Sequence, residues 1–419
     1  MKHRLITLAI VSLAVSAYGK TLVVNNNPAN TSSPCKTAHY TTISAAITAA
    51  SSWDTVSVCP GTYPEALLIN KSHLTLTGLV TSGSSLIELM PTAGISIADV
   101  NPGAEDPTEN VIVLVEGVIG VTINNLSING SKATTTCGSG NAGIYFRNAS
   151  GVVTNAAVAY IGLNADGTLT GCQEGYGIYA DSWSGGTSSL TVFGTSVHDF
   201  DKNGIAAREA GTTLVAENNE ITGAGPTTVT AQNGVELVDG AKGLVNGNVI
   251  SGVDYTPTSS SATGILFYAA DDYGQANGNT ISDTNGGVYF YNTNHGKANG
   301  NNISKTFNFN GLGANGSYIT FENNVVTRSG LETDSPAIYL CGSKNVVAGN
   351  LINDAPSGVQ DDRTSADGCN GASGNSIFSN TYFNVGVDVY ESTNAAAVDL
   401  TGEAIRMRAQ SLPRPAPSK

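Results

Sequence analysis

The sequence is short of charge. Asp, Glu, Lys and Arg make up 12% of its 419 residues, and the balance is acidic, 33 against 19. Between Thr21 and Leu400 the count is 32 acidic to 12 basic. Nucleic acid and anionic membrane surfaces need clustered Lys and Arg, so neither is an expected partner. A polyanion such as pectate would be repelled unless a local basic patch or Ca²⁺ intervened. Beyond the N-terminus there is no apolar run near the roughly 20 residues of a membrane-spanning helix, which excludes membrane insertion of that kind. His, Met and Cys form no ligand clusters and there is no Cys-x-x-Cys, which leaves a cofactor-handling protein without its donors.

Gly is abundant, 49 residues, alongside much Asn, Ser and Thr. That composition suits an exported, β-rich chain. Lys2, His3 and Arg4, then an apolar stretch from Leu5 to Val15 and the small-residue sites ending at Ala17 and Gly19, read as a signal peptide over residues 1–19. The expected location is therefore secreted or periplasmic. All six cysteines, Cys35, Cys59, Cys137, Cys172, Cys341 and Cys369, follow it. An even number in an oxidising compartment predicts three disulfides, with metal binding as the rival reading.

Two apolar patterns interleave along the chain. In one, Gly precedes a β-branched residue or Leu: Gly143-Ile144, Gly177-Ile178, Gly204-Ile205, Gly234-Val235, Gly264-Ile265, Gly287-Val288, Gly311-Leu312 and Gly358-Val359, with Ala337-Ile338 in the remaining slot. The other runs through Ile128, Val158, Val197, Ile221, Ile250, Ile281, Ile303, Val326, Ile352 and Tyr382. Turns such as Asn246-Gly247-Asn248 separate them. A short strand, a polar turn and another strand, repeated about every 25 residues, describe one coil of a solenoid that buries its apolar face only by stacking. We expect a right-handed parallel β-helix of about ten coils over residues 20–400. Cys137 and Cys172 hold nearly the same place in successive coils, so they should pair; Cys35–Cys59 and Cys341–Cys369 should bridge the two ends.

Residues Ile43, Ala46, Ile47 and Ala50 fall on one helical face, within a capping-helix region at 38–52 that would shield the first coil's open edge. Next come Asp54-Thr55-Val56 and Pro60-Gly61-Thr62-Tyr63-Pro64-Glu65. This opening resembles that of pectin-lyase-like β-helix proteins, in which a helix leads into such a coil, and the later coils resemble the parallel β-helix repeats of carbohydrate-binding proteins and sugar hydrolases. The resemblance covers about residues 38–390 and implies fold more strongly than function. Residues 401–419 read as a cap remnant and a Pro-rich disordered tail.

Side chains alternate in a strand. If Ile or Val of each Gly-Ile pair points inward, residues one and three later face out. Those columns hold Tyr145, Tyr179, Tyr268, Tyr289 and Tyr291, with Arg147, Asp181, Arg208 and Glu236 and the neighbouring Asp239. Exposed Tyr rings suit the C–H faces of sugars, and glycoside hydrolysis needs two carboxylates. Asp181, Glu236 and Asp239 are the candidate catalytic carboxylates, with Arg208 placed to hold one of them ionised; a lyase would use Arg208 or Arg147. The five tyrosines are the candidate substrate-binding residues. No cofactor is expected, although Asp271-Asp272 and Asp361-Asp362 could ligate Ca²⁺. Polygalacturonase and pectin methylesterase signatures are missing: Asn292-Thr293-Asn294 lacks the Asp, and there is no Gly-His-Gly, Gln-Asp-Thr-Leu or Leu-Gly-Arg-Pro-Trp. The expectation is a β-helix that binds a polysaccharide on its side wall, with or without cleavage; the alternative is a non-enzymatic, adhesin-like rod.

Overall fold

A computed structural model describes residues 19–79, 87–98, 108–133, 137, 140–173, 175–257, 260–330, 332–364, 372–392 and 398–399. The chain winds as a right-handed parallel β-helix with three walls. The first wall stacks the Gly-Ile strands, among them Gly140–Arg147, Tyr176–Asp181, Asn203–Arg208, Asn233–Val238, Thr263–Tyr268 and Gly286–Tyr291. The second is a sheet of thirteen strands, from Thr21–Val24 to Ser376–Phe378. The third includes Ala157–Ile161, Ser196–Phe200 and Val249–Tyr255, and Leu351–Asp362 runs through both third and first walls. Thirteen strands exceed the ten coils expected. The Gly-Ile pattern begins only at Gly143, whereas the earlier first-wall coils bury Leu67 and Val113 in the same column without it.

Both apolar ladders stack in register. Ile144 pairs with Ile178, then Ile205, Val235, Ile265 and Val288, all buried. Ile128, Val158, Val197, Ile221 and Ile250 do the same in the third wall. The glycines mark where the two ladders meet. A Cβ on Gly204 would lie 2.6 Å from Ile221 Cγ2 and 2.7 Å from the Gly234 carbonyl, and one on Gly177 would lie 2.4 Å from Val197 Cγ1. Gly leaves the room for this close approach at each of these places, and Ala337 takes the slot one coil after Gly311. At another corner a buried Asn column joins consecutive coils: Asn248 Nδ2 donates to Asn279 Oδ1 and to the Ala216 carbonyl, each at 2.9 Å, and its own Oδ1 accepts from the backbone and side chain of Asn219. The amides satisfy turn groups that the solenoid buries.

The helix Ile43–Ala49 buries Ile43, Ala46 and Ile47 in the core, followed by buried Ala50. Thr42 accepts at its N-terminus from Ala45 N, and the Glu65 carboxylate accepts from Ile43 N at 2.8 Å and Ser44 N at 2.9 Å. Those helix amides would otherwise lack partners. Tyr63 is buried and donates to the Cys59 carbonyl at 2.8 Å. The opening motif is thus structural. Cys35–Cys59 and Cys137–Cys172 are disulfides with Cα separations of 5.9 and 5.4 Å. Cys341 is also disulfide-bonded; Cys369, the signal-peptide residues 1–18 and the tail from 400 onward lie outside the described residues.

Candidate functional site

Register places the four candidate catalytic residues on three consecutive coils of the first wall. Asp181 lies opposite Arg208, and Glu236 lies opposite Ala206 one coil on. Neighbouring coils are about 4.8 Å apart. Arg208 Nε donates to Asp239 Oδ2 at 2.9 Å, an ion pair at the wall's edge where Asp239 stands in the turn. Glu236 accepts from Asn203 Nδ2 at 2.6 Å through Oε2, while its Oε1 is buried without a hydrogen-bond partner. Burial pushes the Glu236 carboxyl above the usual carboxylate range; Lys202, Asn203 and Arg208 oppose that push and Asp239 adds to it.

The expected exposure is not what the wall shows. Tyr145, Tyr179, Tyr289, Asp181 and Glu236 are all buried, at 4% accessibility or less. They do point away from the core, as their alternation requires, but a second apolar layer covers the wall. Tyr145, Tyr176 and Tyr179 pack with Val111, Leu114, Ile95 and Ile97, and their rings stack at 4.6–4.7 Å. Further along, Tyr289 packs with Leu266 and Phe309. Tyr268 and Tyr291 are half-buried and stack at 5.0 Å, with planes 5° apart. Burial raises the Tyr179 hydroxyl well above its ordinary value, with Asp181 adding to the effect.

Sequence reasoning passed over the segment before the strand. Asp201 is fully buried, accepts from Thr170 N and Oγ1 at 2.7 and 2.8 Å, and is pushed by burial up to about 6. Lys202 is buried too, its Nζ donating to the Ala231 carbonyl at 2.7 Å, which ties the following coil's loop down beside Glu236. Asn203 bridges Glu236 and Asn233. The available signal was Asn immediately before Gly at both 203 and 233. Arg147, the other lyase candidate, pairs with Glu116 and lies 4.7 Å over the Trp183 ring. None of the cluster lines the cavity of about 180 Å³ between Asn110, Asn141, Tyr160 and Gly162.

The candidate Ca²⁺ ligands have other partners. Asp271 pairs with Lys242 and Asp272 with His295, each at 3.0 Å. Asp361 is held by Arg363 and Asn375, and Asp362 accepts from the Tyr339 hydroxyl and from Thr364.

These features define a class: a parallel β-helix with a covered, polar-centred side wall. The family described as "Periplasmic copper-binding protein (NosD)" matches residues 191–401, half of the chain, and the chain belongs to that family. No curated protein matches the sequence. Among solved structures, the chain is similar to PfbA, a surface adhesin of Streptococcus pneumoniae, at 14% identity over 85% of this chain and 89% of that one, with a TM-score of 0.51. It is also similar to DFA-IIIase from Arthrobacter chlorophenolicus A6 in complex with GF2 (15%, 84% and 87%, 0.51) and to XylC with xylose (10%, 87% and 86%, 0.50). At these identities the likeness is one of fold.

The family's name raises copper. Copper sites draw on imidazole, thiolate and thioether donors. Among the described residues no three of His, Cys, Asp and Glu converge. His73 stacks on Trp53, His198 pairs with Asp199, His295 lies between two Tyr rings, and the described cysteines are in disulfides. The described residues do not fit a copper site.

Proposed function

We propose that the protein works outside the cytoplasm, binding a polysaccharide along the outer face of the first wall, and that Glu236 supplies the proton for cleaving it. The observation that carries the reading is the Glu236 carboxyl. Burial shifts it above the usual carboxylate range, Asn203 fixes one oxygen, and the other is buried without a hydrogen-bond partner one coil from Ala206. A carboxyl shifted in that direction suits the general acid of glycosidic-bond cleavage, and Asp239, ion-paired with Arg208, is the nearby carboxylate. Tyr268 and Tyr291 offer the accessible aromatic surface beside it. Disulfides between coils and a family described as periplasmic support the location, and neighbours of the same fold are described with xylose and GF2.

Burial of Asp181, Glu236 and three of the five tyrosines favours a second reading, an adhesin-like rod that binds without turnover, because a substrate must displace covering groups to reach Glu236. A glycan array with the purified chain, followed by a reducing-sugar assay on whatever binds, separates them. Binding with release of reducing ends is the expected result; binding without release selects the rod, and no binding to any glycan contradicts both.

A further inference from the structure

Beside the first wall, the turn leading into the second wall carries a separate column of rings. Tyr273, His295 and Tyr318 each stand two residues before a second-wall strand, Gln275–Asn277, Lys297–Asn299 and Thr320–Glu322. Their ring centroids lie 5.1 and 4.8 Å apart, with planes within 19° of parallel. All three have positive φ, +73°, +55° and +63°, a region that bulky side chains rarely adopt. Gly374 holds the matching place before Ser376–Phe378. Aromatic rings are thus kept where glycine suits the backbone better.

The column has a closed end and an open one. At Tyr318, Lys344 Nζ sits 5.0 Å from the ring centre and donates to the hydroxyl at 2.7 Å. In the middle, Asp272 holds His295 Nδ1 at 3.0 Å. At the other end Tyr273 is 68% exposed, against 46% for Tyr318, and Asp271, two residues before it, pairs at 3.0 Å with Lys242, which holds the matching place one coil earlier.

We propose that the outer face of Tyr273 is a second sugar-binding position, and that its occupant is a neutral sugar ring of the polysaccharide assigned above, a reading on which this one rests. A sugar ring sets its C–H face on the exposed aromatic plane, beside Lys242, which the Leu244–Gln275 register puts at the matching place one coil earlier. Its hydroxyls meet the carboxylate of Asp271 and the ammonium of Lys242, polar groups that fix orientation as in other sugar sites. The acidic chain disfavours a uronate there. The competing role for the column is mechanical, a strap along the solenoid's edge.

The test is affinity electrophoresis of the full chain in gels holding dextran, xylan or inulin as neutral polymers, or polygalacturonate as an acidic one. Retardation by at least one neutral polymer is expected, at least 10-fold weaker in Tyr273→Ala and retained in Tyr273→Trp, with melting temperatures unchanged. If Tyr273→Ala is retarded like the wild type while Tyr268→Ala and Tyr291→Ala are not, the column is no binding site and the glycan reading stands. If Tyr273→Ala melts earlier but binds normally, the column is a strap. Retardation by polygalacturonate alone overturns the neutral occupant, and no retardation by any polymer overturns both readings.

Discussion

At the residue scale, the acids of the first wall make a pH signature. Asp201 is raised from 3.8 to about 6 in the folded chain, and Glu236 is raised in the same direction. Between pH 4 and 6 the folded state therefore keeps a proton on Asp201 that the unfolded state has lost, so stability falls as pH rises through that window. A shift of this size corresponds to about 3 kcal/mol. Urea midpoints measured from pH 4 to 7 should fall, and Asp201→Asn should flatten part of that slope; an identical slope in the variant contradicts the assignment. The sequence placed Glu236 and Arg208 on the outer face because alternation is a property of the strand itself. It did not disclose that Glu236 is buried and Arg208 half-buried. The covering groups Ile95, Ile97 and Phe309 come from outside the Gly-Ile strands, so no periodic pattern announces them.

At the scale of single elements, the fold was legible wherever one requirement recurs coil after coil. Gly204 is fixed by the approach of Ile221 and the Gly234 carbonyl. Gly204→Ala should cost about 1–3 kcal/mol by overpacking, and chemical denaturation that finds the variant as stable as the wild type would refute that packing. Asn248 answers a different requirement, the buried amides of the turn. Asn248→Ala leaves several of these groups without partners and should destabilise by about 3 kcal/mol, while Asn246→Ala, on the half-exposed face of the same turn, should change the midpoint little. The capping helix was legible from its apolar spacing, but Glu65's bonds to Ile43 and Ser44 were not, because 22 residues separate cap from helix.

For the whole molecule, stacking makes stability nearly one-dimensional, each coil depending on its neighbours. The Cys137–Cys172 bridge closes a 35-residue separation, and its removal by Cys137→Ala/Cys172→Ala should cost about 3–4 kcal/mol in the chain-entropy model, read as a lowered denaturation midpoint. The early first-wall strands Leu67–Ile69 and Thr108–Glu116 carry no Gly-Ile pair, so the first coils were less legible than the later ones. Family membership carries the word copper, yet the chemistry the wall presents is that of a buried acid, an ion pair and aromatic rings. The most direct measurement is turnover by Glu236→Gln against the wild type, on the glycan that the array selects. Binding should be unchanged, and released reducing ends should fall by about 10²–10⁴-fold. Equal turnover in the two proteins would contradict the proton-donor role of Glu236.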